Sequence, residues 1–339
     1  MQPKPNNFLK FIPLIGGILI ISTGLLALNF YSKGEKKSYS SASIKIKPSP
    51  INLENFCQQY QTIGRNLQAW NQDLSQDKIL IKTQAYPNIP FSLNAVAFPN
   101  ISDKARKAKV PILMYHDILP TKEVPLDVTP EELAADFELM KSKGVTPISL
   151  DQLIIHLRTG SPLPEKPVLL TFDDGYGGHY EYVYPLLKKY KYRAVFSVYT
   201  KNIGINTGRS HVTWEQLKIM VEDPLITIAG HSKTHPPDLT KLSDEQLIRE
   251  VKESKALLEK KLDKSIRYFT YPTGKNDKRV RKLVEETGYI AALAMDDADE
   301  KFAGESDNLL AIERFDQSRL EEFVDKASGG DPVSCSEQN

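Results

Sequence analysis

The sequence predicts a parallel α/β fold closed towards a barrel, and three observations predict it. Short apolar runs recur from Val110 onward. Helical segments with start signals separate them, and strands alternating with helices imply parallel pairing. Chemistry-bearing polar residues stand directly after several runs, where parallel barrels assemble their sites.

The runs are Val110–Tyr115, Val168–Phe172, Ala194–Tyr199, Leu225–Ala229, Ile266–Tyr271, Ile290–Met295 and Leu309–Ile312. Four intervening segments begin with Ser or Thr followed three residues later by Glu or Gln. They are Thr129 with Glu132, Ser149 with Gln152, Thr213 with Gln216, and Ser243 with Gln246. At that spacing each side chain satisfies an orphan backbone N–H of the other, so each pair marks a helix start. Pro130 stands at a first helical position, where its missing N–H costs nothing. About seven strands within residues 110–327 fit a barrel better than a small open sheet.

The N-terminal third differs in kind. Residues 11–32, between Lys10 and Lys33, carry no charge and read "FIPLIGGILIISTGLLALNFYS". That is close to the roughly 20 residues that cross a bilayer as a helix. No small-x-small cleavage site follows, so residues 1–32 are expected to be a cytoplasmic N-terminus and a transmembrane signal anchor. Lysines flank both ends, and the positive-inside count does not decide orientation. The expectation is a single-pass cell-membrane protein with its bulk outside the cytoplasm, periplasmic or at the cell surface.

Residues 33–109 are expected to form a stem and connector. The stretch up to about residue 50 is rich in Ser, Lys and Pro, which suits a flexible leader. Leu53, Phe56, Cys57, Tyr60, Ile63, Leu67 and Trp70 then recur at helical spacing, predicting one amphipathic helix over about 52–72. Residues 110–327 form the main domain, and 328–339 a flexible tail.

Composition is that of a globular protein, 40% hydrophobic and 26% charged over 339 residues. A net charge of +1 provides no global field for nucleic acid. Cys57 and Cys335 are the two cysteines and make neither a metal knuckle nor a disulfide framework. No feature names a protein partner.

The polar clusters carry the chemistry. His116 follows "PILMY", Asp173 and Asp174 follow "VLLTF", "GHSKTHP" follows "LITIA", and "YPTG" closes "IRYFT". Four clusters at four strand ends would converge on one barrel mouth. His231 and His235, spaced i, i+4, would face the same way on one helical turn. Two imidazoles and a carboxylate suit a zinc ion with one open position. "DDG" alone reads more readily as a surface turn. With the histidine pair it reads as half of a metal site.

"TFDDGY", "HSKTHP" and "RYFTYPTG", in this order, resemble the successive motifs of the carbohydrate esterase family 4, or NodB-homology, polysaccharide deacetylases. "PILMYHDI" resembles the branch acting on extracellular poly-N-acetylglucosamine. The resemblance covers roughly residues 110–325 and implies a deformed (β/α) barrel holding one divalent metal, usually Zn²⁺. It implies Asp174, His231 and His235 as ligands, Asp173 as general base and the backbone N–H of Tyr271 as oxyanion donor. His116 becomes the candidate general acid, because no His follows His235 and the poly-N-acetylglucosamine branch also has one after such a strand. Tyr271, Trp214 and Arg314 are candidates for substrate contact. The chain departs from the family where Thr270 replaces an Arg that contacts the base, and where the late Trp and His are missing. Of the remaining histidines, His156 is expected on the wet face of a helix, and His179 and His211 in loops.

The function expected is metal-dependent removal of N-acetyl groups from an N-acetylglucosamine polymer, whether exopolysaccharide, peptidoglycan or chitin-like glycan. The alternative is a catalytically impaired surface glycan-binding protein on the same barrel. A glycosidase is disfavoured, because its two carboxyl groups must stand about 5 Å or more apart across the bond.

Overall fold

The computed structural model describes residues 78–81, 91–296 and 301–330. All of them fall within one of the chain's two compact units, Pro50–Asn339. The apolar run 11–32, the amphipathic pattern over 52–72, Cys57 and Cys335 lie outside the described residues. Among the described residues, no helix is long and apolar enough to cross a membrane.

Two strands, β1 (Lys78–Ile81) and β2 (Phe91–Asn94), pair antiparallel as a hairpin. The main sheet is parallel. Its strands are β3 (Ile112–Tyr115), β4 (Thr146–Pro147), β5 (Pro167–Phe172), β6 (Ala194–Val198), β7 (Ile226–Gly230), β8 (Tyr268–Thr270), β9 (Ala291–Leu293) and β10 (Phe315–Asp316). The order β10-β3-β5-β6-β7-β8-β9 gives seven parallel strands in a half-barrel, with short β4 pairing β5 on the side. This is the deformed (β/α) barrel the sequence implies. One strand differs: the run Leu309–Ile312 makes only a single bridge, Ile312 to Leu293, and Phe315–Asp316 takes the edge beside β3.

The strands are apolar throughout because both faces are covered. Alternate residues feed two cores. Leu113, Leu170, Phe196, Ile228 and Phe269 join one cluster, and Ile112, Leu169, Val195, Ala229 and Tyr268 the other. All four predicted capping boxes are formed. They open α1 (Pro130–Ser142), α2 (Leu150–Thr159), α4 (Trp214–Val221) and α5 (Asp244–Ile248). Helices α3 (Tyr184–Tyr190), α6 (Ser254–Leu262), α7 (Lys278–Glu286) and α8 (Leu320–Val324) carry no such box. Two turns of π-helix, His179–Val183 before α3 and Arg249–Glu253 between α5 and α6, interrupt the α pattern.

Two domain-edge expectations are corrected. Residues 95–109 are not a free connector: Ile101, Ala105 and Ala108 are buried in the second core beside Leu153 and Leu157. Ser328 exchanges both backbone bonds with Lys109 at 2.9 Å, so the paired structure runs one residue past 327. The same N-terminal segment explains why α2 has no wet face. Ser102 N–H donates to Leu157 O and Val96 N–H to Arg158 O, covering the side that periodicity assigned to water. His156 is therefore buried, with Nδ1 2.6 Å from Ser161 O, and burial pushes its pKa down.

Candidate active site

Strand ends deliver the polar residues to one place. His116 follows β3, Asp173 and Asp174 follow β5, and His231 follows β7. The ladder continues one step past β5, where Asp173 N–H donates to Tyr115 O at 2.9 Å. Asp174 then leaves the strand at φ +74° and Gly175 follows at +70°. Glycine accepts that conformation freely, and Asp tolerates it better than most residues. This turn separates the two carboxylates.

Asp174 Oδ1 stands 3.5 Å from His231 Nε2 and 3.3 Å from His235 Nε2. Among the described residues these three form the one group whose ligand atoms all lie within 4.8 Å of one another. A tetrahedral ion with bonds of about 2.0–2.1 Å spaces its ligands about 3.3–3.4 Å apart, so the separations fit zinc. The histidines do not share a helical turn as expected. Residues 231–235 form a tight loop, with left-handed backbone at Ser232 (φ +68°) and His235 (φ +55°). Ser232 Oγ accepts the His235 N–H at 3.0 Å and closes that loop. His231 Nδ1 donates to Thr270 O at 2.7 Å, which leaves Nε2 free to coordinate.

Asp173 lives differently. It is buried, and its Oδ2 pairs with Arg314 at 2.8 Å. Arg314, itself 1% exposed, also reaches Ala294 O and Thr171 Oγ1, both at 3.2 Å. Asp173 Oδ1 and His116 Nδ1 are buried without a hydrogen-bond partner. Burial works to raise both carboxyl pKa values, and the neighbours overcome it. The Arg314 guanidinium leads at Asp173; the His231 hydrogen bond and the charges of His231 and His235 lead at Asp174. Both are held below the ordinary carboxylate range, and His116 adds to the lowering at each. At His231 burial lowers the pKa, but Asp174 and Asp173 bring it above the ordinary value. Burial and then the His231 charge depress His235.

His179, expected in a loop, is fully buried in its π turn. Its Nε2 donates to the backbone O of His116 at 2.9 Å, and burial pushes its pKa down to about 4. The approach needs Gly178, where an added Cβ would stand 2.2 Å from Ile118 O.

The family model described as polysaccharide deacetylase matches residues 160–292. A putative polysaccharide deacetylase of Bacillus subtilis is 33% identical over 184 residues, 54% of this chain and 63% of that protein. Over this stretch the chain is similar to the polysaccharide deacetylase family. A poly-β-1,6-N-acetyl-D-glucosamine N-deacetylase of Staphylococcus aureus is 28% identical over 159 residues, 46% of this chain and 52% of that one. The chain thus spans less than two thirds of these curated relatives. The Streptococcus pyogenes deacetylase PplD, solved with acetate, superposes with a TM-score of 0.58 at 27% identity. That match covers 66% of this chain and 99% of that one.

Within this fold, two expected substrate contacts, Arg314 and Tyr271, are corrected. Arg314 is not at a groove surface: it is buried and holds Asp173, from the far end of the domain sequence, where Thr270 replaces the family Arg. Thr270 Oγ1 instead shares a hydrogen bond with Ser197 Oγ at 2.8 Å. Tyr271 N–H is already committed to Leu293 O at 3.0 Å, and its buried hydroxyl donates to Leu310 O at 2.9 Å. It is therefore not a free oxyanion donor. Trp214 opens α4 and packs on the helical layer, with the Lys261 ammonium 5.7 Å from its ring. His211 lies in a wall beside His235: Tyr199 OH bonds its Nε2 at 3.1 Å, and the Tyr199 ring stands 5.4 Å from His235.

Proposed function

We propose that this protein is a metal-dependent N-deacetylase of an N-acetylglucosamine-containing polysaccharide outside the cytoplasm, tethered by residues 11–32. The carrying observation is the split pair: Asp174 turned onto two histidines, Asp173 buried against Arg314. A divalent cation held by Asp174, His231 and His235 would lower the pKa of a coordinated water and polarise the acetyl carbonyl.

The chain's own residues handle the protons. Asp173, kept ionised by Arg314, takes the proton of the attacking water through its unpartnered Oδ1. The new C–O bond forms as that proton leaves. The C–N bond breaks only when the departing nitrogen is protonated, since an amide anion is a very poor leaving group. His116 supplies that proton from the end of the neighbouring strand β3, and the products are acetate and a free amino sugar. The apolar N-terminal run supports a membrane tether, and the relatives that act on poly-N-acetylglucosamine support the substrate class.

The test is acetate release by the full chain, with zinc, from a panel of acetylated glucosamine oligomers. Stoichiometric acetate with free amines on the product supports the reading. Glycan binding without acetate release would favour the non-catalytic alternative.

A further inference from the structure

We infer that Glu250 is a positioning residue for the metal site, presented by the π turn between α5 and α6; the inference rests on the metal reading above. The loop 231–235 must make two histidines converge without a helix to order them. Its left-handed residues, Ser232 and His235, lie in backbone that side chains other than glycine rarely adopt, so something must over-determine it.

Glu250 does so from 17 residues downstream. Its Oε2 accepts the N–H groups of Lys233 at 2.9 Å and Thr234 at 2.8 Å. Its Oε1 accepts the Thr234 hydroxyl at 2.7 Å. Three donors thus converge on one carboxylate that is 8% exposed. The loop carbonyls are held from the other side, Ser232 O by Thr200 N–H at 3.3 Å and Lys233 O by Lys201 N–H at 2.8 Å. Every one of these contacts lies between the two metal ligands in sequence.

The π turn is the presenting device. Residues Arg249–Glu253 carry Glu250, while Leu247, Val251, Ser254 and Leu258 keep the buried line of the helix pair. π turns are rare and concentrate at functional sites. A second π turn, His179–Val183, holds the His116 carbonyl in the same way. Each half of the site is therefore backed by a buried polar residue from a π turn.

The role is geometric, and that separates it from a role in charge. A glutamine at 250 can accept both N–H groups with its oxygen and meet the Thr234 hydroxyl with its amide, because a hydroxyl rotates to accept. The probe is Zn²⁺ alone, titrated into metal-free full-length protein against a competing chelator. Glu250→Ala should weaken zinc binding by about 10- to 100-fold, the usual scale for a group that orients a ligand. Glu250→Gln should stay within about 3-fold of wild type, since it keeps all three contacts. The zinc-induced rise in Tm should shrink in Glu250→Ala and persist in Glu250→Gln.

Wild-type zinc affinity in Glu250→Ala, or equal losses in both variants, overturns the inference. Should Glu250→Ala fail to fold, Thr234→Val removes the hydroxyl contact alone. It should weaken zinc by about 2- to 10-fold, the worth of one hydrogen bond; unchanged affinity there overturns the inference too. Wild-type protein that takes up no zinc overturns the metal reading and this inference together.

Discussion

Asp173 and Asp174 share a peptide bond and almost nothing else. Asp173 ends its strand in the ladder, sealed from water and paired with Arg314. Asp174 turns out through left-handed backbone and faces two imidazoles at 3.3 and 3.5 Å. Two neighbouring carboxylates would ordinarily raise one another's pKa. Here each has its own cationic partner, and both are held down. One backbone turn is enough to give identical side chains separate surroundings, as the proposed tasks of proton transfer and coordination require.

The sharpest way to break that comparison is to exchange the carboxylates one at a time for amides. Asp173→Asn should retain about one equivalent of zinc and lose about 10²- to 10⁴-fold in turnover, the range for a lost general base. Asp174→Asn should lose the zinc itself. Elemental analysis beside acetate release reads both, and the opposite pattern would exchange the two roles.

Removing the partner of the buried half is the next largest effect. Arg314→Met leaves the Asp173 carboxylate buried and unpaired, which costs about 3–5 kcal/mol. Urea unfolding at pH 7 should show that loss. A change under 1 kcal/mol would mean the pair is dispensable.

Acidification reaches the proton-handling half through His179. Unfolded, this histidine binds a proton below about 6.5. Folded, it refuses one until about 4. The unfolded state therefore holds more protons between those values, and stability falls as pH drops through that window and is steady above it. The contribution is up to about 3 kcal/mol, so His179→Gln should flatten the pH 4–6.5 slope of the urea midpoint. Parallel slopes in variant and wild type would refute it.

The smallest expected effect sharpens the comparison. His116→Ala should lower kcat about 10²-fold with zinc content and KM close to wild type. A fall in zinc content would place His116 with the metal half instead.

Much of the fold was legible in the sequence, and the helix starts show why. A capping box closes within four residues, so Thr129, Ser149, Thr213 and Ser243 declare themselves locally. Apolar runs between capped helices likewise imply a parallel sheet, and six of the seven predicted runs overlap one of its strands. The last failed because Leu309–Ile312 is buried but pairs only through a single bridge. Burial and pairing leave the same apolar trace.

By itself the sequence determined a parallel α/β sheet of about seven strands, its capped helices, and the identity of Asp173, Asp174, His231 and His235 as one cluster at strand ends. Those features rest on periodicity and on motifs a few residues long. Only the tertiary structure decided that Arg314 holds Asp173, that Glu250 locks the histidine loop, and that His156 and His179 are buried. It also withdrew Tyr271 N–H by pairing it with Leu293. Each of these depends on a partner from another element, and burial is a property of what lies on top. An arginine before an edge strand, or a glutamate within a helix, carries no local mark of the carboxylate or loop it meets after folding.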